Sequence, residues 1–361
     1  MVLPVITASL VMRKFSGTQI GILASSVFLS IFVLSPFVSS TVQRWGSRRM
    51  YNLSRSLIWT AFLIFMVSEN YFVWLAASYI IGVGAAFVWP MTEGAVVNLA
   101  PEGKKGSYSG LYQTGLGLAF AGGPFVSSTL YMNKNWIFMA ASIISFGSWV
   151  FVRNFPWPNQ TIVPNQPQQK VSWRLALVSG LLVSAFVGGL FENGLSGIAV
   201  AYGMHIGLES RHAMSLAGVI GLGSLLAPFG LGRLADKIGV MKILITSLML
   251  LSLNMLALFF VKNLPPVIWL LAFLWGAAGA GLYTVSMTSV AIYFPGPLAL
   301  GATTLMISLY TLGAFLGPFF GGVAFDLSKD YGIAALFLGF SLLAWIIQIL
   351  GSKLNKSVFS I

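Results

Sequence analysis

The 361-residue chain is 57% hydrophobic and only 8% charged, with a net charge of +12 and a mean hydropathy of +0.87. Soluble proteins carry about 25% charged residues, so this much apolar side chain cannot be hidden in a water-soluble core, and the chain reads as an integral membrane protein. The absence of cysteine excludes a disulfide framework, a thiolate metal site and a cysteine nucleophile. The basic residues fall in short loops between apolar runs and not on one groove-facing helix. That is the positive-inside pattern, and no nucleic-acid partner is expected.

The apolar runs have the length of helices, about 20 residues for a hydrocarbon core of roughly 30 Å. They lack the about 10-residue alternating segments of a membrane β-barrel. Twelve helical spans are predicted, over 1–12, 18–41, 50–68, 71–98, 106–131 and 135–153, then 174–203, 209–231, 241–261, 266–293, 299–324 and 332–351. The first would be roughly 18 Å long at 1.5 Å per residue, too short to cross. About 15–20 residues are therefore expected to be missing before Met1, and the first helix to be N-terminally truncated. Between the sixth and seventh spans lies a polar stretch with Pro156, Pro158, Pro164 and Pro167, which suit a linker and not a helix interior. This divides the chain into a six-helix half at 1–153, a cytoplasmic linker at 154–173 and a second six-helix half at 174–361. Alternate sides carry 14 and 6 Lys and Arg residues, so the linker and C-terminus are expected in the cytoplasm.

The most charged interruption is Gly232-Arg233-Leu234-Ala235-Asp236-Lys237-Ile238-Gly239-Val240-Met241-Lys242. It is expected to form a tight loop between two apolar runs. A weaker copy runs from Ser39 through Gln43, Arg44, Gly46, Arg48 and Arg49. Gly46 to Gly239 and Arg49 to Lys242 are both offsets of 193, so the chain reads as one half written twice. Parallel six-helix repeats of this kind place a solute site between the halves near the bilayer midplane.

The loop resembles the signature of the major facilitator superfamily, roughly G-x-L-a-D-[RK]-x-G-[RK]-[RK], between helices 2 and 3 and again between 8 and 9. Gly232, Leu234, Asp236, Lys237, Gly239 and Lys242 fit it. The first copy departs, with Ser39 for glycine and Gln43 for aspartate, but keeps Arg44, Gly46, Arg48 and Arg49. The resemblance implies an all-α fold of twelve helices in two repeats and alternating-access transport of a small organic solute through the lipid bilayer. It also implies a gate in which Asp236 caps the start of the fifth helix near Gly106 and Ser107, as a carboxylate near free N–H groups is stabilised. The bland alternative is that Asp236 only pairs with Arg233 or Lys237. With uncharged Gln43, the mirror contact is expected to be weaker.

Carboxylates inside spans are expensive and mark candidate sites. Glu192, beside Asn193, suits a coupling-proton site or a partner for a cationic or polar substrate. The competing reading is a neutral, hydrogen-bonded side chain between helices. Glu93 is expected to pair with Arg48, Arg49 or Arg55, or to line the cavity. Trp89 and Tyr283 are repeat mates, and with Tyr112, Gln113, Tyr202 and Trp275 they are candidates for an amphipathic cavity wall. Gly123-Pro124 and Gly313, Gly317 and Pro318 resemble the family's antiporter motif, but the fuller copy lies in the eleventh span. Close packing and a kink are the expectation there. His205 and His212 read as solvated loop residues, not as metal ligands. Asp326 and Asp330 fall in a loop on the same outer side.

No phosphate-binding loop and no nucleophile elbow is present, so an ATP-driven pump and an enzyme are not expected. No cofactor or metal is called for. The reading is a monomeric secondary transporter of the bacterial inner membrane, with proton-coupled efflux as first choice. An uncoupled facilitator, or a sensor or scaffold with the same fold, is the alternative.

Overall fold

The computed structural model describes residues 2–101, 104–130, 133–155, 157, 179–261, 266–293 and 298–358. Most of the expected linker lies outside them. The chain begins with α1 (Val2–Met12), α2 (Gly17–Leu34), a 3-10 turn (Ser35–Phe37), α3 (Val38–Trp45), α4 (Ser47–Val67), α5 (Tyr71–Leu99), α6 (Lys105–Leu130) and α7 (Lys134–Val152). It continues with α8 (Ser179–Glu192), α9 (Gly194–His205), α10 (Ser210–Ile238), α11 (Val240–Leu258), α12 (Val267–Tyr293), α13 (Leu298–Leu327) and α14 (Gly332–Val358). Among the described residues, eight helices are long and apolar enough to cross a membrane, or ten if each of two bent pairs counts as one span. With short α1 and the more polar α6, every predicted span has its helix.

Helix starts on one face are set by caps. Ser16 and Gln19 form a reciprocal capping box at α2. Asn70 and Asn133 accept backbone N–H bonds at the starts of α5 and α7. On this face the Lys134 ammonium hydrogen-bonds Glu69, and that bond, reinforced by the ammonium's charge, holds the Glu69 carboxyl below its ordinary pKa. We call the other end of the bundle, where α3 meets α4 and α10 meets α11, the basic face.

Two expectations about local structure are corrected. The signature segment is not an open loop. Residues 232–238 complete the last turns of α10, and only Gly239 turns the chain before α11 starts at Val240. The first copy is built the same way, with 39–45 helical in α3 and Gly46 as the joint. Gly46 has φ 84° and ψ 141°, and Gly239 has φ 98° and ψ 140°. Side chains rarely tolerate that region, which is why glycine stands at both copies. The second correction is in the seventh predicted span. It is broken at Asn193 into α8 and α9, which meet at 51°.

The first seven helices pack on the last seven along three seams: α2 on α13, α6 on α10, and α1 on α9. Small residues let the backbones touch. A Cβ on Gly322 would stand 2.1 Å from the Gly17 carbonyl oxygen, and one on Gly21 would stand 2.2 Å from that of Pro318. On the second seam a Cβ on Gly221 would stand 2.8 Å from the Ala121 Cα. Gly313 belongs to a different contact, facing the Phe186 carbonyl of α8 at 2.1 Å by the same measure. These approaches between the two sets lie from the capped face to about mid-depth.

Candidate functional site

Two polar groups lie at different depths, one on helices of the first set and one on helices of the second. The shallower is on α5 and α6, nearer the basic face. Glu93 Oε1 accepts hydrogen bonds from Trp89 Nε1 at 2.9 Å and from Gln113 Nε2 at 3.0 Å. Trp89 and Glu93 are four residues apart and so share one face of α5. Pro90 sits within the same helix turn. Tyr112 of α6 is within electrostatic reach of Glu93.

The deeper group forms where α8 breaks. Glu192 is the last residue of α8, roughly 20 Å along it. Its Oε2 accepts the Tyr310 hydroxyl at 2.9 Å, and that hydroxyl accepts Asn193 Nδ2 at 2.6 Å. The Tyr283 ring of α12 lies 4.2 Å from that of Tyr310, centroid to centroid. Tyr283 is within electrostatic reach of both Glu93 and Glu192. Discontinuous helices at mid-depth are a recurring way to place polar groups and free backbone where a solute binds.

Several expectations change. Glu93 does not pair with Arg48, Arg49 or Arg55. Arg48 instead bonds the Arg153 carbonyl and Asn154 Oδ1, and Arg55 bonds the Ser145 carbonyl and the Ser148 hydroxyl on the side of α7. Trp275 and Tyr202 are buried, and the Trp275 N–H donates to the Phe191 carbonyl of α8. His205 is not simply solvated: its Nε2 lies 2.8 Å from Asp330. No cluster of metal-binding side chains exists among the described residues.

Asp326 was expected in a loop and is instead in α13, where it caps α2. Its Oδ1 accepts Gly17 N at 2.7 Å, and its Oδ2 accepts Thr18 N at 2.8 Å and the Thr18 hydroxyl at 2.6 Å. A carboxylate at the positive end of a helix, bonded to its free donors, is a strong contact. Neither Asp326 nor Tyr310 was singled out from sequence. Each acts on a partner more than a hundred positions away, and no local pattern marks it.

The Major Facilitator Superfamily model matches residues 1–230 and 210–354, which together span nearly the whole chain. The chain belongs to the Major Facilitator Superfamily. It is thus a multi-pass membrane transporter that moves some solute, and not an enzyme. Similar proteins include the uncharacterized MFS-type transporter YfkF of Bacillus subtilis (strain 168), 23% identical over 330 residues, covering 89% of this chain and 83% of that one. Another is the uncharacterized MFS-type transporter YcaD of Salmonella heidelberg (strain SL476), 26% identical over 329 residues, covering 89% and 82%. A crystal structure of a mutant nucleoside transporter, NupG, superposes with a TM-score of 0.77 at 12% identity, over 97% of this chain and 94% of that one. At that identity the likeness shows the fold.

Within this facilitator fold, the signature aspartate is free. Asp236 is exposed and bonds neither Arg233 nor Lys237, nor any other described residue. Among the described residues, Gln43 bonds only the Ser39 hydroxyl, one turn back in its own helix, at 3.3 Å. Arg44 and Arg49 are exposed. Gly232 is helical, with open space where a Cβ would be. The side chains near Gly106 and Ser107, the expected target of Asp236, lie outside the described residues. In α13, Gly317 and Pro318 are buried, and Pro318 backs onto Gly21. In α6, Pro124 is buried and the Ser127 hydroxyl bonds the Gly123 carbonyl.

Proposed function

We propose that this transporter exchanges a small organic solute for protons, in the direction of efflux, across a bacterial inner membrane. The halves 1–153 and 174–361 rock about the cavity between them, joined by the cytoplasmic linker 154–173. The basic face is cytoplasmic, as its excess of Lys and Arg suggests. The chain works as a monomer and needs no cofactor.

One observation carries the proton reading: Glu192 at the helix break, bonded through one oxygen to Tyr310 of α13. A carboxyl group there can release its proton to one side when the cavity opens to that side and take one up from the other side when the cavity opens there. In this conformation the capped face is shut by Asp326 on α2, while Asp236 is disengaged. We assign Asp236 to the opposite latch, which engages the start of α6 once the basic face closes. Gln43 is its weaker mirror.

Solutes that raise the melting temperature of the purified protein identify candidates, since a ligand of the native state stabilises it by RT ln(1 + [L]/Kd). Their flux is then followed in proteoliposomes loaded with a pH-sensitive dye. Solute flux should move lumenal pH, and Glu192→Gln should abolish that pH change. Coupling unchanged in the variant removes Glu192 from the proton pathway. Flux without any pH change makes the protein an uncoupled facilitator. Binding without flux makes it a sensor or scaffold.

A further inference from the structure

We propose that the transported solute is an organic cation with aromatic or other flat apolar groups, held between Glu93 and Glu192. The inference rests on the transport reading above and adds the chemical class of the solute.

The charge inventory of the cavity is one-sided. Glu93 lies near one end of α5 and Glu192 at mid-depth, with Tyr283 within electrostatic reach of both. Of the 17 Lys and Arg residues among the described residues, 16 fall within two turns of a helix end or in the segments between helices. The exception, Arg55, is tied to the α7 carbonyl of Ser145 and to the Ser148 hydroxyl. An anion entering here would meet two carboxylates and no countercharge, in surroundings of low dielectric where an unpaired charge is most costly. A cation is paired at both depths.

The carboxylates are also left incompletely bonded. Glu93 takes both of its hydrogen bonds on Oε1, and Glu192 takes its one on Oε2. Among the described residues, Glu93 Oε2 and Glu192 Oε1 have no hydrogen-bond partner. Neither oxygen is among the fully buried atoms that lack a partner. Each carboxylate is thus held in position by one oxygen and leaves the other for a solute.

The walls supply the remainder. Trp89, Tyr112, Tyr283 and Tyr310 accompany the two carboxylates. Aromatic faces attract cations most strongly where water is excluded, and they receive flat apolar groups. The same arrangement explains exchange. When the solute cation arrives, the Glu192 carboxylic acid releases its proton to the open side and the carboxylate pairs with the cation. On the other side the cation leaves and a proton takes its place. One carboxylate cannot hold both, so the two are carried in opposite directions.

A series of similar shape and different charge tests this on the unmodified protein in detergent. Binding of tetraphenylphosphonium is measured by equilibrium dialysis against tetraphenylborate and neutral triphenylphosphine oxide. Tetraphenylphosphonium should bind saturably, at least tenfold more tightly than either comparator. Glu93→Gln and Glu192→Gln should each weaken it about tenfold or more, which is about 1.4 kcal/mol. Lowering pH should weaken it in the wild type and less in Glu192→Gln. Absence of saturable cation binding, or equal binding of the borate or the oxide, overturns the proposal without recourse to any variant. Unchanged affinity in both folded variants, checked by monodispersity, overturns it as well. Binding in detergent needs no transport. A failed cation preference therefore leaves the transport reading standing, and a bound cation that shows no flux in proteoliposomes refutes transport while the solute class survives.

Discussion

At the scale of single residues, the most consequential side chain is Asp326. It joins α13 to the first turn of α2 across 309 positions, through two backbone N–H groups and a hydroxyl. Hydrogen bonds to charged groups are worth about 1.5–3 kcal/mol each, so losing this contact should shift the population between conformations by roughly tenfold or more. The chain has no cysteine, so one introduced thiol gives a clean reporter. Ser25 is buried against the Phe315 carbonyl on the same seam. In a Ser25→Cys background, Asp326→Ala should raise alkylation of that thiol from the capped face about tenfold. An unchanged rate would mean that packing alone shuts this face. The carboxylate was visible in the sequence, but its work was not, because capping is a property of two helices that meet only in the fold.

At the scale of elements, the glycines divide into two kinds. Gly46 and Gly239 are one-residue joints with positive φ, and each both ends one helix and starts the next. Replacing either with alanine should cost about 1–3 kcal/mol through backbone strain, although nothing stands within 4 Å of the new methyl group. Gly322 is the other kind. It is helical, and its alanine variant is blocked by the Gly17 carbonyl. Gly322→Ala should therefore force α2 from α13 and, like Asp326→Ala, raise labelling of the Ser25→Cys reporter, while Gly239→Ala should lower melting temperature without that signature. The shared offset of 193 was legible in the sequence, and the nearly equal angles at the two joints give it a physical meaning. The length of the flanking helices was not legible. Charged residues within a short span of glycines suggested a loop, whereas they ride on the exposed last turns of helices whose other side is packed.

At the scale of the whole molecule, the two faces are in opposite states. The capped face carries the Asp326 contact and the close glycine seams, while Asp236 on the basic face is exposed and unpaired. If Asp236 latches the other conformation, Asp236→Asn should favour the one described here, and the thiol of a Gln113→Cys reporter should label faster from the basic face. A carboxylate at a helix N-terminus is worth about 0.3–2 kcal/mol, so the change should be roughly twofold to thirtyfold. Gln43→Ala, which removes only a bond within its own helix, should leave the rate within about twofold. Equal effects of the two variants would refute the asymmetry of the repeats.

What the sequence determined by itself is whatever follows from short stretches of chain. Hydropathy over about 20 residues marks the spans, because crossing a bilayer is a local demand. Glycine marks the joints, because positive φ is a one-residue property. Glu93 and Glu192 stand out, because a carboxyl group in an apolar run is expensive wherever the run ends up. Only the tertiary structure decided what those groups touch. Glu93 turns from the arginines to Trp89 and Gln113, Glu192 meets Tyr310 across 118 positions, and Asp326 closes a face across 309. Hydrogen bonds and close helix contacts depend on distances of a few ångströms between remote segments, which no periodicity along the chain records.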